Sequence, residues 1–374
     1  MMILQELSET QKPYRIFTES LEKEAIQQFV GAMMQDSVLQ GALMPDAHTG
    51  YTIPIGAVVA VQDMLYPSFV GYDIGCGMCA IQTTFHVQDV KQNAQKIFDA
   101  IYRNLPVGQA HNKNPSHWDK QPDHTQAVKE IMKKGGLNQL GTLGSGNHFV
   151  EIGEDEAQRT WIVVHSGSRN IGHSIATHYM KLAAGGKARE GFFGLQTDTA
   201  AGEDYLLDLE FGLAFALENR IQILRRVTEA MQNHIPGHTL QESLINRHHN
   251  HAEKTNGLWI HRKGATHAEK DMMGVIPGNM RDGSFIVRGK GNADSLSSSS
   301  HGAGRVMGRK AAKKALQMDD FIRSMQEKGI TAKVTPSTLD ESPGAYKNIW
   351  EVMALQSDLV EVCHHVKPII NIKG

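Results

Sequence analysis

From Thr160 to Gly172 the chain reads TWIVVHSGSRNIG, a β-branched apolar run that passes directly into a polar loop containing glycine. Short β-branched runs between loop signals are typical of buried strands, so we predict a strand over 160–165 that ends at His165. The same reasoning predicts three further strands, at 55–61, 284–288 and 367–373. The fold therefore contains sheet.

Helical spacing of apolar residues predicts five helices, at 21–34, 88–104, 203–233, 304–328 and 345–365. Strands and helices mix without a regular βαβ rhythm, which favours an α+β fold over a doubly wound sheet. No internal repeat and no Pro/Ser-rich linker divides the chain. We predict a single compact domain over 1–374, with mixed or antiparallel sheets and flanking helices.

The composition is that of an ordinary globular protein, with 40% hydrophobic and 21% charged residues. No apolar run is long enough to span a membrane, and the N-terminus lacks a basic region followed by an apolar core. Three cysteines are too few for a disulfide framework and indicate a reducing compartment. We therefore expect a cytoplasmic protein with no membrane partner, and its oligomeric state, monomer included, stays open.

The formal net charge of −2 argues against a protein coated in nucleic acid, but the charge is unevenly distributed. Between Arg281 and Lys314 eight Lys and Arg residues face only two Asp residues, a net of +6. Such a stretch is either an electrostatic footprint for phosphates or a solvated helix face. The sequence alone leaves both interpretations open.

Five glycine-rich segments carry polar residues with chemical potential: GYDIGCGM, GTLGSGNHF, HSGSRNIG, VIPGNM and SHGAGR. Glycine clusters mark backbone that turns tightly or approaches a ligand closely. Histidines stand in or beside such polar segments, namely His148, His165, His249 and His301. One such histidine is usually structural, but four of them together with an Asp-x-x-Cys motif favour a metal site.

The Asp-x-x-Cys motif is Asp73-Ile-Gly-Cys76, which follows the apolar run YPSFVGY. A strand ending there would present a carboxylate and a thiolate from one turn, and a thiolate has enough lone pairs to bridge two cations. Cys76 and Cys79 also form a C-x-x-C pair, which is found in redox sites and zinc sites. No second C-x-x-C is present to complete a structural zinc site, and no thioredoxin-like βαβ context surrounds the pair.

Taken in order, these segments resemble the RtcB family of RNA-splicing and RNA-repair ligases. Besides the motifs above, the resemblance includes MPDAHTG at 44–50, RHHN, HRKGA, AYK at 345–347 and the C-terminal KG. It extends from about residue 40 to the last residue. One such motif would be weak evidence, whereas ten in the family's order are strong evidence.

The resemblance implies two manganese ions and a GTP-dependent reaction in which His301 becomes guanylylated. It implies that the metal ligands are Asp73, Cys76, His148, His165 and His249, with Cys76 contacting both ions. A neutral imidazole is a competent nucleophile near pH 7, and a metal can neutralise the charge that develops on an attacked phosphate. If Gly302–Gly304 opened a helix, their N–H groups would add the positive end of its dipole.

The nucleotide pocket is predicted from position in the motifs and from the resemblance. Glu151 can accept hydrogen bonds from N1 and the amino group of guanine, and Lys373 matches the family's base-contacting lysine. The predicted GTP-binding residues are Asn147, His148, Phe149, Val150, Glu151, His249, Asn250, Pro277, Gly278, Asn279, Met280, Ser284, His301, Gly302, Ala303, Gly304, Tyr346 and Lys373.

Two departures from the family pattern lie in one loop. Asn279 replaces a serine and Arg281 replaces a glycine. Asn279 can still donate a hydrogen bond, and the guanidinium of Arg281 suits phosphate oxygens. We hypothesise that Arg281 contacts either the triphosphate or the RNA end, with a solvated surface residue as the alternative. The departures indicate a divergent branch specialised for repair.

The resemblance thus implies a ligase that joins an RNA 3′-phosphate or 2′,3′-cyclic phosphate end to a 5′-hydroxyl end, in RNA repair or tRNA splicing. Its partners would be GTP and RNA. A two-metal phosphodiesterase or nuclease is an alternative, with His301 as an acid or base. A second alternative is a non-catalytic RNA-binding protein with a residual metal site.

Overall fold

The computed structural model describes residue 7 and residues 10–186 and 191–374. Its strands are β1 (Tyr14–Ile16), β2 (Val38–His48), β3 (Ile55–Val61), β4 (Met64–Leu65), β5 (Gly77–His86), β6 (Phe149–Glu154), β7 (Arg159–Ser166), β8 (Leu195–Gln196), β9 (Ile245–His248), β10 (Asn250–Thr255), β11 (Leu258–Lys263), β12 (Ala265–His267), β13 (Met273–Pro277), β14 (Ser284–Gly289), β15 (Ser298–Ser300), β16 (Thr331–Ala332) and β17 (Val360–Lys373).

The described helices are α1 (Lys23–Met33), α2 (Pro67–Val70), α3 (Val87–Gln92), α4 (Ala94–Asn104), α5 (Gln126–Lys133), α6 (Arg169–Ala183), α7 (Ala200–Gln232), α8 (Arg309–Ala315), α9 (Met318–Gln326) and α10 (Ile349–Ala354). Short 3₁₀ turns lie between several of them. In the part of the chain that the structure describes, no helix combines the length and apolar character needed to cross a membrane.

Two large sheets carry the fold. One has the order β1-β2-β3-β11-β10, and the other has the order β13-β14-β17-β6-β7-β5-β9 with β16 beside β17. Most neighbouring strands are antiparallel, whereas β1–β2 and β16–β17 are parallel. The predicted α+β fold with mixed and antiparallel sheets is therefore confirmed. The chain passes from the second sheet to the first between β9 and β10, at residue 249.

The predicted strands at 55–61, 160–165 and 284–288 are confirmed as β3, β7 and β14. The last strand is much longer than predicted because β17 begins at Val360. The helix predicted over 345–365 is therefore wrong beyond Ala354, where α10 ends. The apolar spacing of this segment suits a helix, but pairing with β14 and β6 determines its conformation.

The helix predicted over 304–328 is also wrong at its start. Gly304 has φ +74°, and a Cβ there would lie 2.3 Å from the carbonyl oxygen of Asp46, so this position requires glycine and a loop. The helix begins only at Arg309, and extended residues at Leu316 and Gln317 divide it into α8 and α9. Gly302–Gly304 therefore do not open a helix, and no helix dipole acts there.

The remaining helix predictions are largely confirmed. The segment 21–34 contains α1, and 203–233 lies within α7 plus one flanking residue. The segment 88–104 forms two helices, α3 and α4, because Asn93 between them leaves the helical conformation.

Helix α7 carries two buried polar residues beneath the glycine-rich loops. The amide of Asn219 accepts from the N–H of Gly141 and donates to the carbonyl of Gly167. The guanidinium of Arg220 donates to the carbonyls of Gly75 and Ser166. Loops have few backbone partners of their own, so these side chains fix three separate loops to one rigid helix.

Candidate active site

Four neighbouring strands of the second sheet meet at one edge with potential ligands. Cys76 immediately precedes β5, His148 immediately precedes β6, His165 lies near the end of β7, and His249 follows β9. These strands are antiparallel neighbours in the order β6-β7-β5-β9, so the start of one strand lies beside the end of the next. Residues far apart in sequence are thereby placed at one edge of the sheet.

The ligand atoms form a continuous chain of close contacts with Cys76 at its centre. The Sγ atom of Cys76 lies 3.4 Å from Nε2 of His148 and 3.3 Å from Nε2 of His165. Beyond these, Nε2 of His148 lies 3.2 Å from a carboxylate oxygen of Asp73, and Nε2 of His165 lies 3.4 Å from Nε2 of His249. All five residues predicted as metal ligands are brought together.

The protonation states of this cluster suit a metal site. Burial, reinforced by neighbouring histidines, lowers the pKa of His165 and of His249 well below the usual value. Both rings are therefore neutral at pH 7, and each offers a lone pair. The other nitrogens of His148 and His165 lie 3.0 and 3.2 Å from the carbonyl oxygens of Leu143 and Asn147. Such outer contacts fix a ring so that Nε2 faces inward.

Two other groups of potential metal ligands in the described chain differ from the Cys76 cluster because each surrounds an arginine side chain. His251, Glu253 and His267 cluster around Arg262, which donates to both His251 and Glu253. The group formed by Asp155, Glu156 and His364 surrounds Arg159 in the same way. A guanidinium already supplies the positive charge in both. Arg169 and Arg220 lie near the cluster at Cys76, but among the described residues no guanidinium donates to its ligand atoms. Its facing lone pairs therefore fit an external metal ion.

The predicted nucleophile lies against this cluster. The ring of His301 packs at 4.8 Å from the ring of His249, nearly perpendicular to it. On the other side, Nδ1 of His301 lies 2.7 Å from Oδ2 of Asp46. The same oxygen accepts from the backbone N–H groups of His301 and Gly302. Asp46 therefore holds a carboxylate oxygen at ion-pair distance from Nδ1, and no described residue makes a hydrogen bond to Nε2.

A cavity of about 280 Å³ begins at His165 and His301 and extends away from the metal ligands. It is lined by thirteen of the residues predicted to bind GTP: Asn147, Phe149, Glu151, Pro277, Gly278, Asn279, Met280, His301, Gly302, Ala303, Gly304, Tyr346 and Lys373. Lys373 pairs with Phe149 across β17 and β6, which brings the penultimate residue of the chain inside. We call this cavity the nucleotide pocket.

One wall of the nucleotide pocket is an ion-pair network around Glu341. Its carboxylate lies 2.7 Å from Nζ of Lys373, 2.5 Å from Arg309 and 2.6 Å from the hydroxyl of Tyr346. Arg305 lies 3.2 Å from the same carboxylate and its guanidinium covers the ring of Tyr346 at 5.0 Å. Although burial alone would raise it, these cations hold the pKa of Glu341 at about 2.

Comparison with known proteins places this arrangement in a family. A family model described as tRNA-splicing ligase RtcB matches residues 28–135 and 117–374. The RNA-splicing ligase RtcB of Escherichia coli (strain K12) is 34% identical over 403 residues, covering 97% of each chain. The tRNA-splicing ligases RtcB of Nanoarchaeum equitans and Thermococcus kodakarensis are 29% and 25% identical, covering 92% of this chain and 90% and 89% of theirs.

The chain belongs to the RtcB family. The matched ranges contain all five predicted metal ligands as well as Asp46 and His301. The features that define the site of this RtcB-family protein therefore lie within the region of family similarity.

Five of the residues predicted to bind GTP do not line the nucleotide pocket. Val150 points into the hydrophobic core, because side chains alternate along β6 and its neighbours Phe149 and Glu151 take the pocket side. Asn250 uses its amide to join the carbonyl of Asp73 to the N–H of Gly264. The other three are His148 and His249, which belong to the ligand cluster, and Ser284, which is fully buried.

The nucleotide pocket is lined by one carboxyl group with an unusual environment, that of Glu151. Glu151 is buried, and Oε1 has no hydrogen-bond partner among the described residues. Burial, only partly offset by Ser284, Lys373 and Asn371, raises the pKa of Glu151 to about 8. An unpaired buried acceptor carries a cost, which a ligand with suitable donors would relieve.

Sequence reasoning missed Asp46, Glu341 and Asn371. Asp46 lies within MPDAHTG, and its signal is that it is the only carboxylate in β2. Glu341 precedes Tyr346 by five residues in an unremarkable polar turn, and no sequence signal marks it. Arg309 was counted only as part of the basic stretch, although it lines the pocket.

The basic stretch from Arg281 to Lys314 does not form one surface. Arg305 and Arg309 line the nucleotide pocket, whereas Lys290 donates to the carbonyl of Ser357. Arg281 pairs with its neighbour Asp282 and lines a different cavity, so the predicted contact with the triphosphate finds no support.

Proposed function

We propose that this RtcB-family protein is an RNA ligase that uses GTP and manganese. It joins an RNA 3′-phosphate or 2′,3′-cyclic phosphate end to a 5′-hydroxyl end through guanylylated His301. The observation that carries the proposal is the position of His301, which contacts the ligand cluster on one side and lines the nucleotide pocket on the other. The names of the similar proteins, RNA-splicing and tRNA-splicing ligases, support the substrate class.

The ligand chain divides naturally into two sites that share Cys76. Asp73 and His148 lie on one side of its sulfur, and His165 and His249 lie on the other. We propose one ion on each side. Bound there, the metal would neutralise negative charge on the phosphates and favour ionisation of an attacking hydroxyl.

The nucleotide pocket suits a guanine nucleotide. The ionised carboxylate of Glu151 would accept from N1–H and the amino group of guanine, neither of which adenine offers in that form. Along β6, Glu151 lies three residues from His148, which is about 10 Å of strand. That distance separates a base-recognition end from a reaction end. The guanidinium of Arg305 covers one face of the Tyr346 ring, so the base would pack against the other face.

The first step transfers GMP to the protein. Nε2 of His301 attacks the α-phosphorus of GTP, a P–N bond forms, and the bond to the leaving pyrophosphate breaks. Asp46, at 2.7 Å from Nδ1, compensates the positive charge that the ring gains on attack. Arg305 and Arg309 line the cavity and would neutralise phosphate charge.

The next two steps consume the RNA ends. An oxygen of the RNA 3′-phosphate attacks the phosphorus on His301, and the P–N bond breaks as the activated RNA end forms. The 5′-hydroxyl then attacks the RNA 3′-phosphorus, loses its proton and expels GMP. A 2′,3′-cyclic phosphate is first opened by water to a 3′-phosphate.

The deciding experiment is incubation with manganese and α-³²P-labelled GTP, followed by mapping of the labelled peptide. We expect an acid-labile label at His301 and none in His301→Ala, whose melting temperature should match that of the parent. Transfer of the label to an RNA 3′-phosphate end completes the test. RNA cleavage without any protein-bound label would instead identify a phosphodiesterase, and a label on another residue would reassign the nucleophile.

A further inference from the structure

A second cavity opens at the metal-ligand cluster, on the side away from the nucleotide pocket. It has a volume of about 550 Å³, and Asp73 and His148 form its inner end. Asn147 lines both cavities, whereas His165 lines only the nucleotide pocket. The ligand cluster therefore stands between the two cavities, and a group bound in the second one would approach the metals from the opposite side.

Three rings form an aromatic strip, of which Tyr72 and His173 line the second cavity and Tyr51 lines a neighbouring one. Tyr72 and His173 stack with their ring centres 5.0 Å apart and their planes within 21°. The rings of Tyr51 and Tyr72 are nearly perpendicular with their centres 6.1 Å apart, and Tyr51 is 71% exposed. His173 is exposed as well. An exposed ring such as His173, stacked on the half-buried Tyr72, can offer its outer face to a further flat ring.

The cavity also contains a fixed cation. Arg169 lines it from the start of α6 and has φ +58°, a left-handed conformation that residues other than glycine rarely adopt. Its guanidinium donates to the carbonyl of Gly108 at 2.8 Å and to the hydroxyl of Thr142 at 3.1 Å. An unusual backbone conformation and two hydrogen bonds thus hold one guanidinium near Asp73 and the metal ligands.

We propose that the second cavity binds single-stranded RNA next to the end that is ligated, with bases stacked on the aromatic strip of Tyr51, Tyr72 and His173. The inference rests on the proposed function and adds which part of the substrate occupies this cavity. Aromatic rings beside a cationic group are the usual way in which proteins hold single-stranded nucleic acid. The phosphate beside the stacked bases lies toward Arg169.

The geometry selects unpaired nucleotides. A ring can stack on a base only where that base is free of its neighbours, and in an RNA duplex the bases are already stacked. The strip begins at Tyr72, the residue next to Asp73, so stacked bases lie close to the reacting phosphate. The cavity therefore accepts the frayed or looped nucleotides at a break and excludes a paired end.

The first test is direct binding without GTP, so that no chemistry follows. The probe is a fluorescein-labelled six-nucleotide RNA with a 3′-phosphate, followed by anisotropy. Tyr72→Leu and His173→Ala should weaken binding by about 5- to 100-fold, the range expected for loss of one stacked base. Tyr72→Phe keeps the ring and should bind as the parent does. Trp350→Ala removes an exposed aromatic ring outside the second cavity and serves as the control.

A second measurement separates stacking from structural damage. An RNA of the same length with an abasic residue near its 3′ end should bind the parent as weakly as Tyr72→Leu binds the complete RNA, and Tyr72→Leu should weaken it no further. If the losses of affinity caused by Tyr72→Leu and by the abasic residue multiply, the ring and the base act independently and do not contact each other. That result would overturn the inference. Equal affinity of all variants for RNA would overturn it as well.

The outcome is distinguishable from failure of the proposed function. If no protein-bound label forms from GTP but RNA affinity still depends on Tyr72 and His173, the ligase proposal fails and the RNA site stands. If ligation proceeds but RNA affinity is unchanged by substitutions at Tyr72 and His173, only the proposed RNA site is rejected. Equal binding of free GMP and of the six-nucleotide RNA in this cavity would also overturn it, since it would show a mononucleotide site.

Discussion

The metal-ligand cluster and the charged wall of the nucleotide pocket are both buried, but they satisfy their polar atoms differently. At the wall, the carboxylate of Glu341 is surrounded by Lys373, Arg309 and the hydroxyl of Tyr346. In the cluster, the sulfur of Cys76 and the imidazole nitrogens around it face one another at 3.3–3.4 Å with no cation among them. The wall is complete as it stands, whereas the cluster is complete only with an external positive charge.

This difference determines what each region contributes to stability. Removing one partner of a buried ion pair leaves an uncompensated charge, which is strongly destabilising. Removing a neutral imidazole or the thiol from the cluster leaves no such charge. The wall therefore supports the fold and shapes the cavity, whereas the proposed metal would add binding energy at the cluster.

The largest effect is expected from Cys76→Ser. The serine hydroxyl stays protonated at pH 7, so the bridging ligand is lost, and we expect manganese affinity and ligation to fall by more than about 100-fold. The thermal stability of the metal-free protein should change little, because no ion pair is broken. Equilibrium dialysis and thermal unfolding without metal measure the two quantities.

Cys79→Ser is the matched control. Cys79 is fully buried in a hydrophobic cluster, where burial raises the pKa of its thiol to about 12. We expect this variant to keep both the metal and the activity, with at most a loss of stability. Equal loss of metal from the two variants would instead support a C-x-x-C role for the pair.

The opposite pattern is expected from Glu341→Gln in the wall. The change leaves the buried Lys373 without its counter-charge, whereas Arg309 keeps its ion pair with Asp340. Unfolding should therefore become easier by about 3–5 kcal/mol, while metal affinity is retained. Denaturant unfolding at pH 7 measures the loss. Glu24→Gln, on the exposed side of α1, provides a control without measurable change.

The contribution of Glu341 to folding stability should depend on pH in a predictable direction. The pKa of Glu341 is about 2 in the folded protein, below that of an ordinary glutamate in the unfolded chain. Its contribution is therefore fully present above about pH 4.3 and is lost as the pH falls toward 2. The stability difference between the parent and Glu341→Gln should shrink over that interval. A constant difference would show that the carboxylate charge is not the cause.

The two regions were also unequally visible in the sequence. The proposed ligands could be predicted because strand ends and glycine-rich motifs mark Asp73, Cys76 and the three histidines locally. The partners of His301 and Lys373 could not, because Asp46 lies 255 residues from His301, and only the folded chain brings Glu341 to Lys373. Local motifs reveal groups that act on a ligand, whereas compensating charges depend on the tertiary structure.

The errors in the fold have a related cause. The segments 304–328 and 345–365 have helical spacing, but the close approach of Gly304 to Asp46 and the pairing of β17 with two strands determine their structure. Val150 was assigned to the pocket because it lies in a family motif, although the two-residue period of a strand turns it into the core. Tertiary contacts thus prevailed where local pattern was ambiguous.

A smaller effect is expected at Glu151, the one carboxyl group of the pocket without full compensation. Burial raises the pKa of Glu151 to about 8, so its carboxyl group is mostly protonated at pH 7. Guanine binding requires the ionised form, and affinity for GMP should therefore rise as the pH increases. From pH 7 to 8.5 the ionised fraction of such a group grows roughly eightfold.

Calorimetric titration with GMP at several pH values, without metal, measures this rise. Glu151→Gln removes the titrating group, so its weaker affinity should be independent of pH over the same range. The same slope in both proteins would assign the pH dependence to another group. Folding stability should follow the reverse course, because a buried acid with a raised pKa loses its stabilising proton as the pH rises from about 4.5 to 8.

The smallest effect is expected at Arg281, which lies in the same loop as Asn279. Its guanidinium pairs with Asp282 at 2.7 Å, and its side chain is 39% exposed in a cavity separate from the nucleotide pocket. Partly exposed pairs contribute about 0–1 kcal/mol, so Arg281→Gly should alter both stability and guanylylation by less than about fivefold in the equilibrium or rate constant.

Asn279 provides the contrasting variant in the same loop. Its amide oxygen accepts from the backbone N–H groups of Arg281 and Asp282, and its amide nitrogen donates to the Asp282 carboxylate at 2.7 Å. Asn279→Ala removes these bonds and loosens the loop that lines the nucleotide pocket, so the KM for GTP should rise more than in Arg281→Gly. If Arg281→Gly impairs guanylylation more than Asn279→Ala does, Arg281 contacts the triphosphate after all. Normal guanylylation with weakened ligation would place it on the path of the RNA. Because the pair with Asp282 already neutralises Arg281, we expect neither result.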